Sequence, residues 1–208
     1  VADTIDDTTI TLSATASVVE GGDITYTAEV NYAADGDMTV TLDDGTVITI
    51  LDGQTTGLAT ITAPADDAHN DEGSVTNFIA ATSGGNFENV VNANDAASPV
   101  TTNITDTIDT TNLSLTAEAN EIEGGTITYT ATLDNLTDTA MTVTLSNGAI
   151  IAIAAGASSG TVDVAAQADD VYLDAADVTA TITGTTGGNF ENLVVDPVAA
   201  TTAVADTI

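Results

Sequence analysis

The carboxylates are the one class of reactive side chain this sequence holds in quantity. It has 32 Asp and Glu residues, no Lys or Arg, no Cys and a single histidine, His69. Carboxylate oxygens are hard donors, and Ca²⁺ takes six to eight such oxygens at about 2.3–2.6 Å. Zinc or copper would call for several His or Cys ligands, and the chain offers only His69. Carboxylates that meet here must be solvated, protonated or neutralised by an outside cation. Two of them ~4 Å apart repel by roughly 4 kcal/mol at an effective dielectric near 20, so a cluster of three or four points to a metal. Other chemistries find no support. Nucleic-acid binding needs cations facing phosphates, and an anionic membrane surface is equally unattractive to this charge. Ser and Thr are plentiful, but none stands beside a repeated His, as nucleophilic catalysis would need. Paired carboxylates can hydrolyse glycosides, yet aromatic residues make up only 3% of the chain and give a sugar no platform. No enzyme is expected.

The elements that would position these carboxylates come in two copies. Asp-Thr-Ile stands at Asp3, Asp106 and Asp206, at spacings of 103 and 100 residues. Such recurrence marks joints between repeating units, here 1–105 and 106–208, each of ordinary domain size. Glu20-Gly21-Gly22 returns as Glu123-Gly124-Gly125. Asp66, Asp67 and Asp71 return as Asp169, Asp170 and Asp174, and Gly84-Gly85-Asn86-Phe87-Glu88-Asn89 returns as Gly187 to Asn192. The second copy is three residues shorter after that last motif, in the connection before the final strand.

Period-2 alternation in a Val- and Thr-rich chain argues strands, and no helical period persists. Seven strands are predicted in the first unit: Thr8 to Ala14, Asp23 to Asn31, about Met38 to Leu42, Val47 to Leu51, Leu58 to Ala63, Val75 to Thr82 with Val75, Ile79 and Ala81 inward, and Val100 to Ile104. Asp43-Asp44-Gly45 suits a hairpin. The expected fold is all-β: two tandem immunoglobulin-like, seven-stranded β-sandwiches. Tyr26 and Tyr129 fall on inward faces, Phe87 and Phe190 plug the ends of the cores, and His69 reads as an exposed loop residue. The chain has no Cys and so does without disulfides. No apolar run is long enough to span a bilayer as a helix, and no signal peptide opens the chain.

If the strands run alternately up and down, the Glu-Gly-Gly turn, the acidic loop and the exit of the last strand share one end of each unit. That end gathers Glu20, Asp66, Asp67, Asp71, Asp106 and Asp109 in the first unit, with Asp3 as the corresponding joint residue at the start. In the second it gathers Glu123, Asp169, Asp170, Asp174 and Asp206. Asp134, Asp138 and Glu191 could face the same joint. The candidate calcium ligands are the residues gathered at these ends together with Asp3. The competing expectation is that each Asp caps a turn and the loops are solvated.

Taken together, the joint Asp-Thr-Ile-Asp-x-Thr-Thr, the Glu-Gly-Gly-x-Ile-Thr-Tyr-Thr-Ala strand, the Asp-Asp loop and the Gly-Gly-Asn-Phe-Glu-Asn motif resemble the extender repeats of very large bacterial biofilm adhesins, the LapA-like adhesins of the repeats-in-toxin type. The resemblance covers essentially the whole chain. It implies Ig-like domains in a long tandem array, type I secretion, an outer-membrane-anchored parent at the bacterial cell surface, and calcium that stiffens the array. Adhesive ligands would be bound by other domains near the distal end. The Glu after the first strand with an Asp-Asp loop also resembles the Calx-β arrangement, which implies metal-binding roles for Glu20, Asp66, Asp67, Asp71 and their counterparts. Ala175 stands where the first copy has Glu72, which sets Glu72 apart from that group. The expected function is a calcium-rigidified structural extender, monomeric, whose partners are neighbouring repeats. The alternative is a module that itself grips a carbohydrate or a surface.

Overall fold

The computed structural model describes residues 4–173 and 176–207. It contains twenty strands and no helix among the described residues. Two compact units divide it. The first comprises 4–66 with Asp71–Thr107, and the second comprises Asp67–Asn70 with 108–207.

The first unit has ten strands: β1 (Asp7–Ala14), β2 (Ser17–Val19), β3 (Asp23–Val30), β4 (Met38–Leu42), β5 (Val47–Ile50), β6 (Thr56–Thr62), β7 (Gly73–Asn77), β8 (Ile79–Gly84), β9 (Asn89–Asn92) and β10 (Val100–Thr105). One layer is the sheet β6-β3-β1-β9, and the other is made of β5-β4-β8 and β2-β10-β7. The core lies between them. Ile24, Tyr26, Ala28 and Val30 of β3 alternate with more exposed Asp23, Thr25, Thr27 and Glu29, so every second side chain faces inward. Met38, Val40 and Leu42 answer from β4, and Ile48 and Ile50 from β5. Gly57 begins the crossing of β6 over β5: a Cβ there would lie 2.4 Å from the Thr49 carbonyl oxygen. Gly160 repeats this in the second unit, at 2.3 Å from the Ala152 oxygen.

The immunoglobulin-like architecture matches expectation, but ten strands stand where seven were predicted. The first strand continues, after a break, into β2, which leaves its sheet and pairs in parallel with β10. Asn89–Asn92, read as part of a loop and connection, pairs in parallel with β1. The predicted Val75–Thr82 strand is two, β7 and β8. Its inward set also needs correction, because Ala81 is exposed. The β4–β8 register slips between Leu42, opposite Ile79, and Thr41, opposite Ala81. One extra residue in β8 reverses the alternation beyond it, as a β-bulge does.

The second unit repeats the plan with β11 (Thr110–Ala117), β12 (Asn120–Ile122), β13 (Thr126–Leu133), β14 (Met141–Leu145), β15 (Ile150–Ile153), β16 (Ser159–Ala165), β17 (Val178–Ala180), β18 (Ile182–Gly187), β19 (Asn192–Val195) and β20 (Ala200–Ala205). Its sheets have the equivalent orders β16-β13-β11-β19, β15-β14-β18 and β12-β20-β17. The three-residue deletion falls in the connection before β20, where length is cheap to change.

Tyr26 and Tyr129 are fully buried, and Phe87 and Phe190 are partly buried against their cores. Gly84 and Gly85, at φ of 84° and 77°, turn the chain ahead of Phe87. A Cβ at Gly84 would stand 2.3 Å from the Asp37 carbonyl oxygen, so only glycine fits.

Candidate functional site

In the first unit, backbone hydrogen bonds gather three chain segments at one end. Glu20 follows directly on β2, and its N–H donates to the carbonyl of Thr105, the last residue of β10, at 3.1 Å. The Gly21 N–H donates to the Pro64 carbonyl, just past β6, at 2.5 Å. Gly22 closes the turn onto the Val19 carbonyl, and a Cβ there would approach that oxygen to 2.8 Å. The Glu20 side chain is thereby held inside the protein, only 5% exposed.

Its neighbours are anionic. The Glu20 carboxyl is pushed up to about 8, first by the hydrogen bond it shares with Asp71, then by burial, then by Asp106. A charge there would be both desolvated and repelled, so the proton stays. Glu20 Oε2 and Asp106 Oδ1 are buried atoms with no hydrogen-bond partner among the described residues. Asp66 joins this end of the unit by accepting from the Thr107 hydroxyl.

The second unit uses the same construction. The Glu123 N–H donates to the carbonyl of Ala205, the last residue of β20, at 3.0 Å, and the Gly124 N–H donates to Gln167 at 2.7 Å. Glu123 is 3% exposed, and Asp206 is half-buried. Asp169 accepts from the Thr207 hydroxyl, as Asp66 does from Thr107.

The family model of the LapA domain matches the chain twice, over residues 6–107 and 109–207. The chain belongs to the LapA domain family. Both matches together span nearly all of it, and they meet at the Asp-Thr-Ile joint. It is thus a repeat region of the biofilm-adhesin kind, from a protein of cell-surface adhesin type. No curated protein matches it.

The predicted ligands of the LapA repeats divide as follows. Glu20, Asp71, Asp106 and Asp66 share one end of the first unit, while Glu123, Asp169 and Asp206 occupy the equivalent positions of the second. Asp67, though adjacent to Asp66, is part of the second unit. It is exposed and accepts from the His69 N–H at 2.8 Å, a cap on its own turn. Asp170 is likewise exposed and caps Tyr172 at 2.7 Å. Asp109 lies in the second unit, exposed, with its N–H donating to the Glu191 carboxylate. Asp3 and Asp174 lie outside the described residues. Asp134 serves as a cap: the Asn112 side chain and N–H both donate to it, at 2.7 Å, and hold its carboxyl below the usual range.

His69 is not the exposed loop residue expected from sequence. Within the second unit it is half-buried and stacks on Phe190 with ring centroids 5.4 Å apart. Its Nδ1 lies 3.0 Å from Asp67 and its Nε2 lies 2.8 Å from the Leu136 carbonyl oxygen. Burial pulls its pKa down, but Leu136, Asp67 and the charge of Asp138 together leave it raised.

Two supporting roles escaped the sequence reading. Thr107 and Thr207 are the hydroxyl donors that orient Asp66 and Asp169. Glu88 and Glu191 accept from the Asp6 and Asp109 N–H groups at the start of each repeat. The signal for both lay in plain view, since the Thr of Asp-Thr-Ile and the Glu of Gly-Gly-Asn-Phe-Glu-Asn recur in each copy.

Proposed function

We propose that these LapA repeats are the structural extender of a secreted bacterial adhesin, non-catalytic spacers stiffened by calcium that carry a distal adhesive tip. The observation that carries the reading is Glu20, a buried carboxyl packed against Asp71 and Asp106 in a sequence with no Lys or Arg to neutralise it. The donor set fits a hard divalent ion: carboxylate oxygens only, two of them buried and without a hydrogen-bond partner. Glu20, Asp71 and Asp106 would hold the ion in the first repeat. Glu123 and Asp206, with Asp169 beside them, would do so in the second. Bound calcium would supply the positive charge that the proton on Glu20 otherwise provides.

The mechanical consequence follows from the connections. Glu20 closes the turn after β2, Asp106 directly follows β10, and Asp71 opens the stretch before β7. An ion shared by all three would fix the direction in which the chain leaves each repeat. Extracellular calcium modules bind at roughly 0.1–1 mM, and a 0.1 mM site at millimolar calcium stabilises the folded state by about 1.4 kcal/mol. Low calcium inside the cell would leave each repeat looser before type I export, and the parent protein would stay anchored at the outer membrane.

Calorimetric titration of the two-repeat chain with CaCl₂, paired with small-angle scattering before and after EGTA, tests the proposal. Saturable binding lost in Glu20→Gln/Glu123→Gln, with a particle that lengthens and stiffens on binding, is expected. No binding heat and an unchanged profile would reduce the repeats to acidic spacers.

A further inference from the structure

The second unit incorporates four residues, Asp67–Asn70, that precede the rest of it in the chain. They lie against its Gly-Gly-Asn-Phe-Glu-Asn loop, mainly through backbone groups. The Asn70 N–H donates to the Asn189 carbonyl at 3.0 Å, and the Glu191 N–H donates to the Ala68 carbonyl at 3.3 Å. The Asn189 side chain donates to the Asn70 carbonyl at 3.2 Å. Ala68 is buried, and His69 stacks on Phe190 beside Leu136. Backbone pairing of this kind admits many sequences.

Both halves of this arrangement recur elsewhere without their complement. At an offset of 103, Asp67–Asn70 corresponds to Asp170-Val171-Tyr172-Leu173. The cap recurs, because Asp170 accepts from the Tyr172 N–H as Asp67 does from the His69 N–H. Yet Val171, Tyr172 and Leu173 are 90%, 70% and 86% exposed. Three consecutive large apolar side chains facing solvent mark a binding surface. At the same offset, the place taken by His69 beside Leu136, Phe190 and Asp138 corresponds to a cleft of about 370 Å³ lined by Ala33, Phe87 and Asp35.

We propose that Asp170–Leu173 is a plug that seats on the Asn-Phe-Glu loop of another LapA repeat, with Tyr172 stacking on its phenylalanine, and that the cleft beside Phe87 receives such a plug. The occupant is therefore a second copy of the repeat, joined head to tail. Tyr can replace His69 because its ring offers the same flat face and its hydroxyl can donate to the carbonyl that His69 Nε2 meets. The contact needs no metal and goes beyond the extender reading.

The chain has no cysteine, so engineered thiols report on it cleanly. A Val171→Cys copy, which keeps Tyr172, is mixed with a Glu88→Cys copy, since Ala68 and Glu191 hold the matching places in the pairing of His69 with Phe190. The buffer carries about 0.5 M NaCl to screen the like charges, with calcium and again with EGTA. The mixed disulfide should form about tenfold faster than between Val171→Cys and Thr49→Cys, an exposed control site, because docking raises the local thiol concentration. Adding Tyr172→Ala to the Val171→Cys copy, or Phe87→Leu to the Glu88→Cys copy, should return the rate to the control. All variants are first checked for unchanged melting. Equal rates in both buffers would overturn the proposal. So would a rate insensitive to both Tyr172→Ala and Phe87→Leu, or a Val171→Cys homodimer as the fast product, which would mean that the apolar patches merely adhere to each other.

Discussion

With divalent ions chelated, the first repeat should lose stability as the pH rises, and Glu20 should account for the loss between about pH 5.5 and 8. The folded Glu20 carboxyl titrates at about 8 against an ordinary 4.5. Between those values the folded chain holds a proton that the unfolded chain has released. Its contribution is fully present below the ordinary value and is lost as the pH passes through the folded one. One proton sets a limiting slope of about 1.4 kcal/mol per pH unit, and a domain of this size moves roughly 4–8 °C in Tm per kcal/mol.

The other carboxylates repel with the same sign, but an ordinary carboxyl is ionised by about pH 5.5 and adds little slope above it. Glu20→Gln isolates the effect. The amide is neutral at every pH and can donate to Asp71 as the protonated carboxyl does. Differential scanning calorimetry in EDTA should show the wild-type Tm falling across pH 5.5–8 and the E20Q Tm falling much less. Parallel curves would refute the reasoning, and with it the claim that a proton stands in for a cation at this site.

His69, the chain's one histidine, should titrate above its ordinary 6.5 in an NMR pH series, and a midpoint below that value would mean its burial outweighs Leu136 and Asp67. Its contribution to the second unit is present at acidic pH and lost as the pH rises through the folded value. Gly84→Ala and Gly187→Ala should each destabilise by about 2–4 kcal/mol in chemical denaturation, because both glycines have positive φ and a Cβ would stand 2.3 and 2.1 Å from a carbonyl oxygen. Tyr26→Phe and Tyr129→Phe should be neutral or stabilising by up to about 1 kcal/mol, since each buried hydroxyl lacks a hydrogen-bond partner among the described residues. A loss above about 1 kcal/mol in the same assay would mean the hydroxyls are satisfied by water.

What the sequence disclosed follows from where burial imposes a period. Strands β3 and β4 sit inside their sheets, and the edge strand β5 still buries every second residue, Ile48 and Ile50, in the core, so alternation wrote all three into the sequence. Strands β2 and β9 are short edge pieces with no residue fully buried, and nothing in Ser-Val-Val or Asn-Val-Val-Asn distinguishes a parallel edge strand from a loop. In the first unit the break between β7 and β8 is braced by Asn77, buried with its side-chain oxygen accepting from the Asp43 and Phe78 N–H groups. The second copy has Ala180 there, so comparing the copies obscured the signal.

The site divides in the same way. Which residues carry charge to the end of each repeat was legible, because carboxylates are nearly the only reactive groups and they recur at fixed spacing. Which backbone donor each one meets was not. Asp66 and Asp67 are neighbours in sequence, but one takes the Thr107 hydroxyl and the other caps the turn into His69. That division separates an acidic end, where charge must be neutralised, from a four-residue segment whose counterpart is Asp170–Leu173. The change from His69 to Tyr172 hid this second role, since two rings of different chemistry read as drift. Each N–H is capped by the Asp two residues before it, and both side chains offer a flat face for a phenylalanine.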